Sequence, residues 1–361
     1  MLFETSISKI QKKINDVDPY AYQKSRNYAD GKVSKLSPYI SRGCLTTKSV
    51  FEKILQLELP WYKIEKFVQE LAWRDHWQLT WKNKGNLIES DLKKEQTDVE
   101  HHELPFSIVN HNTGIQSIDN SIKNLYKDGY MHNHMRMYIA SVSCNVGKAH
   151  WLKPAKWMYY HLLDGDLGSN YLSWQWVAGT NSSKKYYANQ DNINKFFYSQ
   201  QKNTFLDSSY ECLIENKTPQ TLKRTKSFDL TTKLSKSEDI IEIKDSAIYN
   251  YYNLDHQWKN SENLQRILLL EPSFFSKNPV SNKCIDFAIE LSKNINEIKV
   301  FIGEFHDLKK TLNNVKIYYK EHPTNEHYQG IKENRDWLFY DNGDFKSFFS
   351  FWKKTIKNIK Q

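Results

Sequence analysis

Apolar residues recur at three- and four-residue spacing through Phe51–Leu57, Trp61–Trp81, Ile115–Asp128 and Trp157–Leu163, which predicts a mostly helical chain over residues 1–200. Pro60 can open the second of these helices in its first turn, where a missing N–H costs nothing, and Ser37-Pro38 fits the same pattern. Residues 201–264 are polar, rich in Lys, Ser, Asn, Glu and Thr, and lack sustained periodicity; they read as a connector with short helices at most. From Arg266 onward the pattern changes. Ile267–Leu270, Lys299–Ile302, Val315–Tyr319 and Trp337–Tyr340 are predicted strands, with helices at Ile285–Leu291 and Ser347–Ile359. The expected organisation is a helical domain over 1–200, a polar connector over 201–264 and a small Rossmann-like α/β domain with a parallel sheet over 265–361. No G-x-G-x-x-G or G-x-x-x-x-G-K-[ST] accompanies those strands, so no nucleotide site is assigned there.

Charge adds a partner class. The formal net charge is +9, which favours a polyanion, because neutralising phosphates releases counterions. Cys44, Cys144, Cys212 and Cys284 are scattered without a C-x-x-C pair and read as free thiols in a reducing compartment, with no metal assigned. The start, MLFETSISKIQKK, has no apolar stretch of signal-peptide length, and the run Ile267–Leu270 is far too short to span a bilayer. A soluble, cytoplasmic protein, monomeric and without membrane contact, is expected.

Three segments carry candidate chemistry. Leu36-Ser37-Pro38-Tyr39-Ile40-Ser41-Arg42-Gly43, preceded by Ser34, is a Ser-rich turn into a helix; it offers N–H groups and hydroxyls to an anion, although a capped helix start has the same look. In Glu70-Leu71-Ala72-Trp73-Arg74-Asp75-His76-Trp77, Trp73, Trp77 and Trp81 form a stripe on one helix face, a pattern usual for core. Glu70 and Arg74 one turn apart resist that bland reading, since a buried carboxylate and guanidinium must be paired or bound to a ligand. The third segment runs Met131-His132-Asn133-His134-Met135-Arg136-Met137, then Asp164-Gly165-Asp166 through Asn170 to Trp174-Gln175-Trp176. Asn133, Arg136 and Met137 share a helix face. Asp164-Gly165-Asp166 does not continue into the twelve-residue calcium pattern, so a charge-paired network with Arg136 or Arg74 is the better reading.

These segments together resemble the FAD domain of the cryptochrome/photolyase family, and its cyclobutane-dimer photolyases most of all. The family pattern runs roughly Trp-Met-His-Asn-Arg-x-Arg-Met, then Asp-Gly-Asp-x-x-x-Asn and Trp-Gln-Trp, after an earlier Leu-Ser-Pro-Tyr and Glu-Leu-x-Trp-Arg. Four matches follow in that order over roughly residues 20–190, with Tyr130 in place of the first Trp and His134 in place of the first Arg. The resemblance implies an all-helical FAD-binding domain. It puts Tyr22, Ser34 and Ser37 at the FAD phosphates and ribitol, with Leu36 in the same set. Arg74 and Asn133 would face the cofactor, Arg136 and Asp164 would pair against the isoalloxazine ring, Asp166 would accept hydrogen bonds near flavin and adenine, and Asn170 would face flavin N5.

A lesion pocket is implied as well, with Glu70 as the acid that stabilises the dimer radical, Trp73 and Trp176 as aromatic walls, and Met137 and Arg26 beside them. Flat walls suit a flipped-out dimer. The implied function is light-driven repair of pyrimidine dimers in DNA by electron transfer from reduced FAD. A cryptochrome-type photosensor and a (6-4) photolyase are the alternatives. Trp174 and Trp151 match the inner two members of the family's electron chain. Three departures stand out. Val33 replaces the usual Thr; His134 replaces an Arg that contacts DNA; and no Trp lies between Trp81 and Trp151, so Trp157, Trp81 or a Tyr would have to serve as the surface member. The family's N-terminal antenna domain is not at its usual place, which leaves an antenna chromophore unassigned; together with the Arg replaced by His134, it predicts a preference for single-stranded DNA.

Overall fold

The computed structural model describes residues 2–215, 217–235, 240–341 and 343–358. The C-terminal end of the predicted helix Ser347–Ile359 therefore lies outside the described residues. The chain forms a mostly helical fold with one five-stranded parallel sheet, and its contacts divide it into two compact units. The first comprises Met1–Tyr20, Ser34–Asn83 and Leu230–Gln361; the second comprises Ala21–Val33 and Lys84–Asp229.

The first unit holds the sheet. Its strands are β1 (Ser246–Tyr249), β2 (Gln265–Leu270), β3 (Lys299–Ile302), β4 (Ile317–Lys320) and β5 (Ile331–Glu333), in spatial order β3-β2-β1-β4-β5 and all parallel. Every residue of β1 and β2 is buried, as expected for central strands covered on both faces. Ile248, Ile267, Leu269, Phe305, Leu308, Leu312 and Ile317 form the core on one side.

Two departures from the sequence reading occur here. The central strand β1 lies inside the stretch read as a polar connector; four residues between Asp245 and Asn250 are too few to show a period. Trp337–Tyr340, predicted as a strand, pairs with none. The Leu338 and Phe339 N–H groups donate instead to the Asp75 carboxylate, at 2.8 and 3.0 Å.

Helix α1 (Trp61–Lys84) contributes most of its length to this unit. The carboxyl ends of β1 and β4, where open parallel sheets commonly receive ligands, are packed by the chain itself. Tyr252 stacks on His322 with ring centroids 4.6 Å apart, Trp81 meets His322 edge-on at 5.0 Å, and the Arg42 guanidinium lies 3.6 Å from the Tyr251 ring centre. Gly43 makes the approach possible: its φ is +68°, and a Cβ there would meet the Tyr252 carbonyl oxygen at 2.4 Å.

The second unit is helical and contains α2 (Asn133–Ser141), α3 (Leu152–His161) and α4 (Leu167–Ala178). Among the described residues no helix is long and apolar enough to cross a membrane.

Candidate functional site

In the second unit the helix Gln116–Asp128 stops at Gly129, whose φ of +67° closes the turn; the Gly129 carbonyl then accepts the Leu163 N–H at 2.8 Å. That bond sets the Met131–Arg136 segment beside Asp164. Arg136 Nη2 donates to Asp164 Oδ2 at 2.8 Å, and its Nε donates to the Met131 carbonyl at 2.9 Å. Asp164 is buried and Arg136 half-buried, so each charge is held by its partner. His132 precedes α2 and accepts the His134 N–H at Nδ1. Burial, then the neighbouring His134 and Arg136 charges, push His132 down to about 4, which keeps its ring neutral and able to accept.

Asp166 caps α4, its Oδ1 accepting the Ser169 N–H at 2.7 Å. One turn later Asn170 donates Nδ2–H to the Ala155 carbonyl at 2.8 Å, which fixes the plane of its amide. A carboxylate, a guanidinium, a capping Asp and an oriented carboxamide thus gather around the start of α4. This donor and acceptor set suits the polar edge of a flavin, which carries both carbonyl oxygens and ring N–H groups. Asn133 is exposed at the first position of α2, and Met137 is half-buried one turn on. Further along α4, Trp174 is buried, while Trp176 is half-buried beside Tyr186 with ring centroids 5.8 Å apart.

The other expected residues of this unit are engaged locally. Arg26 donates to the Asn27 side chain at 3.1 Å. The His134 ring donates Nδ1–H to the Asn27 carbonyl at 3.0 Å and packs on Tyr138 and Phe196. Tyr22 lies half-buried in the helix Pro19–Ser25, and Val33 is half-buried. Trp151 is fully buried, and its indole N–H donates to Asp91 at 2.6 Å. Trp157 is buried too, donating to the Tyr126 hydroxyl at 3.1 Å.

The first unit carries the remaining expected residues. Ser34 Oγ accepts the Leu36 N–H at 3.4 Å, ahead of the short helix Ser37–Ser41, and Leu36 is buried. Arg74 Nη2 donates to Ser41 Oγ at 2.8 Å. Glu70 pairs with Lys66 at 3.0 Å one turn earlier on α1. Trp73 is not open on both faces: Phe348 stacks on it with centroids 3.7 Å apart and planes 9° from parallel. Phe348 opens α5 (Phe348–Thr355), which lies within the predicted helix Ser347–Ile359.

Sequence reasoning missed Asp91 and Asp75. Asp91 belongs to no motif and Asp75 was given no role within the Glu70–Trp77 segment; the partners that give them meaning, Trp151 and Phe339, are distant in the chain.

Residues 67–210 match the family described as the FAD binding domain of DNA photolyase. A deoxyribodipyrimidine photo-lyase of Alkalihalophilus pseudofirmus is 31% identical over 153 residues, 40% of this chain and 31% of that protein. A cryptochrome DASH of Synechocystis is 26% identical over 166 residues, 44% of this chain and 34% of that protein. The crystal structure of a Synechocystis cryptochrome superposes with a TM-score of 0.50 at 22% identity, covering 54% of this chain and 44% of that one, and so agrees in fold. The chain therefore spans about a third of the length of the curated relatives it matches. Through residues 67–210 the chain is similar to the FAD-binding domain of the cryptochrome/photolyase family. FAD is the cofactor of that domain.

Proposed function

We propose that this protein is a light-driven DNA repair enzyme, a deoxyribodipyrimidine photolyase that splits cyclobutane pyrimidine dimers. The observation that carries the reading is the Arg136–Asp164 pair set against the capped start of α4. It supports a rigid, charge-balanced seat for a flavin on a helix that also bears Trp174 and Trp176. FAD, when bound and reduced, supplies a light-driven electron; the chain's residues bind, orient and shield.

In the second unit, Arg136, Asp164, Asp166, Asn170 and Asn133 are the proposed cofactor residues, with Asn170 held by Ala155 for flavin N5. Tyr22 in that unit and Ser34, Leu36, Ser37 and Arg74 in the first complete the set on the strength of the resemblance. Trp151 and Trp174 are the proposed inner electron carriers. Glu70 would donate a hydrogen bond or proton to the dimer radical anion. Trp73, Trp176, Met137, Arg26 and His134 would line the lesion. A basic chain suits a DNA partner.

The test is light-dependent restoration of thymines by the purified, chemically reduced protein, on single- and double-stranded oligonucleotides carrying either lesion class. Repair of the cyclobutane dimer under blue light and none in the dark supports the reading; repair of the (6-4) lesion alone would move it to that class. Replacing Glu70 by Gln is expected to lower repair yield with FAD content intact, and unchanged yield would remove that role.

A second reading, a blue-light photosensor, has one observation in its favour. The Trp73 face that would receive a base is covered by the chain's own Phe348. No repair of either lesion with FAD bound and reduced selects this reading.

A further inference from the structure

The Trp151 indole is 0% exposed, and its N–H ends on a carboxylate 2.6 Å away, Asp91 Oδ1. A buried indole needs an acceptor, and a carbonyl or hydroxyl suffices, as at Trp157, where the acceptor is the neutral Tyr126 hydroxyl. Asp91 offers a base instead, in a charge-assisted hydrogen bond. Such a bond alone assigns no role, since Trp258 makes one to Glu333 in the sheet unit. At Trp151 three further features coincide.

Asp91 is held rigidly: its Oδ2 accepts the Gln96 N–H at 2.7 Å. Gln96 in turn fixes Trp151, accepting its backbone N–H at 3.0 Å and donating to the Ala149 carbonyl at 2.9 Å. The same Asp91 oxygen that receives the indole lies 3.5 Å from His150 Nε2. His150 stacks on His102, with centroids 5.0 Å apart, and its side chain is 20% exposed. A line of proton-bearing groups therefore leads from a fully buried indole to a ring that reaches water.

We propose that Asp91 is the proton acceptor for Trp151 when that indole gives up an electron, and that His150 is the exit for the proton. The inference rests on reading Trp151 as an electron donor to photo-excited, oxidised flavin. The donor loses one electron to the flavin and becomes an indole radical cation, a far stronger acid than indole itself. Its N–H bond then breaks, an O–H bond forms at Asp91 Oδ1, and a neutral indolyl radical remains. His150 Nε2 takes that proton next and passes it toward solvent. With the proton gone, return of the electron must wait for reprotonation, so the separated charge lives longer.

The experiment is transient absorption, with electron paramagnetic resonance, on the FAD-loaded oxidised protein after a blue flash, in H₂O and D₂O. Wild type is expected to show the radical cation converting to the neutral radical, more slowly in D₂O. Asp91→Asn keeps a hydrogen-bond acceptor of the same shape and loses the base. It is expected to hold the cation and to shorten the lifetime of the separated charge on the order of a hundredfold, the usual size of a positioned base's effect. Asp91→Glu should restore part of the neutral radical. Neutral-radical formation in Asp91→Asn at the wild-type rate overturns the proposal. So does the absence of a solvent isotope effect in wild type, a measurement that needs no variant to fold. Trp151→Phe separates the parent reading: undiminished photoreduction there shows that Trp151 carries no electron, whereas lost photoreduction with an unaffected Asp91→Asn condemns the proton role alone.

Discussion

Asp75 follows Arg74 on α1 and turns the other way, into the protein. Its carboxylate is 4% exposed and accepts three hydrogen bonds, from Thr47 Oγ1 and from the Leu338 and Phe339 N–H groups. Burial pushes this carboxyl up to about 6, with the hydrogen bonds pulling the other way. The native state thus holds the proton more tightly than the unfolded chain does. The resulting stability is full below the ordinary carboxyl value of 3.8 and is lost as pH rises through about 6. Asp75→Asn can keep the same contacts, with its oxygen on the two N–H groups and its amide on the Thr47 hydroxyl. Denaturant unfolding between about pH 4 and pH 7 should show wild type losing on the order of 3 kcal/mol more than the variant. Parallel pH profiles would remove Asp75 as the titrating group. Arg74 was legible beforehand because it sits in a motif; Asp75, next to it, had no visible partner until the chain was folded.

At the scale of elements, legibility followed the length of the pattern. The helix over Trp61–Lys84 repeats its apolar face over many turns, and the all-apolar run Ile267–Leu270 is unmistakable as a buried strand. Ser246–Tyr249 and Ile331–Glu333 are too short to show a period, although the first is fully buried. Helix α5 shows a different limit: its aromatic spacing reveals the helix, while the particular partner, Trp73, is visible only in the folded chain. Phe348 is 2% exposed, and its stack on Trp73 is reinforced by a capping box between Ser347 and Ser350. An aromatic pair of this kind contributes about 0.5–1.5 kcal/mol beyond burial, and a base on an aromatic wall roughly 1–3 kcal/mol. The two are close enough for exchange to be practicable. If Trp73 receives a base, Phe348→Ala should tighten binding of a dimer-containing oligonucleotide by about tenfold, corresponding to about 1.4 kcal/mol. Fluorescence anisotropy on protein shown to be folded and FAD-loaded checks this, and unchanged affinity means that Trp73 is no base wall.

For the whole molecule, the family resemblance was legible because four motifs keep their order, and the net charge of +9 was legible from composition alone. Neither told which stretches pack together. Segment 34–83 joins the sheet because Arg42, Asp75 and Trp81 find their partners at Tyr251, Phe339 and His322. The charge makes its own prediction. Binding to damaged DNA should weaken with salt, with a log–log slope of about 0.9 per phosphate neutralised on duplex and about 0.7 on single strands. Titrations in rising NaCl on both substrates measure it, and a flat response would assign the basic excess to solubility. Equal repair of the two substrates would remove the expected single-strand preference.

The division of the first unit into three stretches of chain has a consequence for how the protein is made. Residues 34–83 leave the ribosome early, yet the strand Ile317–Lys320 beside β1 is still unmade when they emerge. At about 5–20 residues per second, the wait is on the order of tens of seconds. Throughout it, Trp73, Trp81 and Tyr39 lack aromatic neighbours supplied by the later chain, Phe348, His322 and Phe287. The second unit, completed by residue 229, can close while this happens. During synthesis the nascent chain is thus a finished helical body carrying an unfinished one, whose apolar surface stays uncovered for as long as residues 230–352 take to be made.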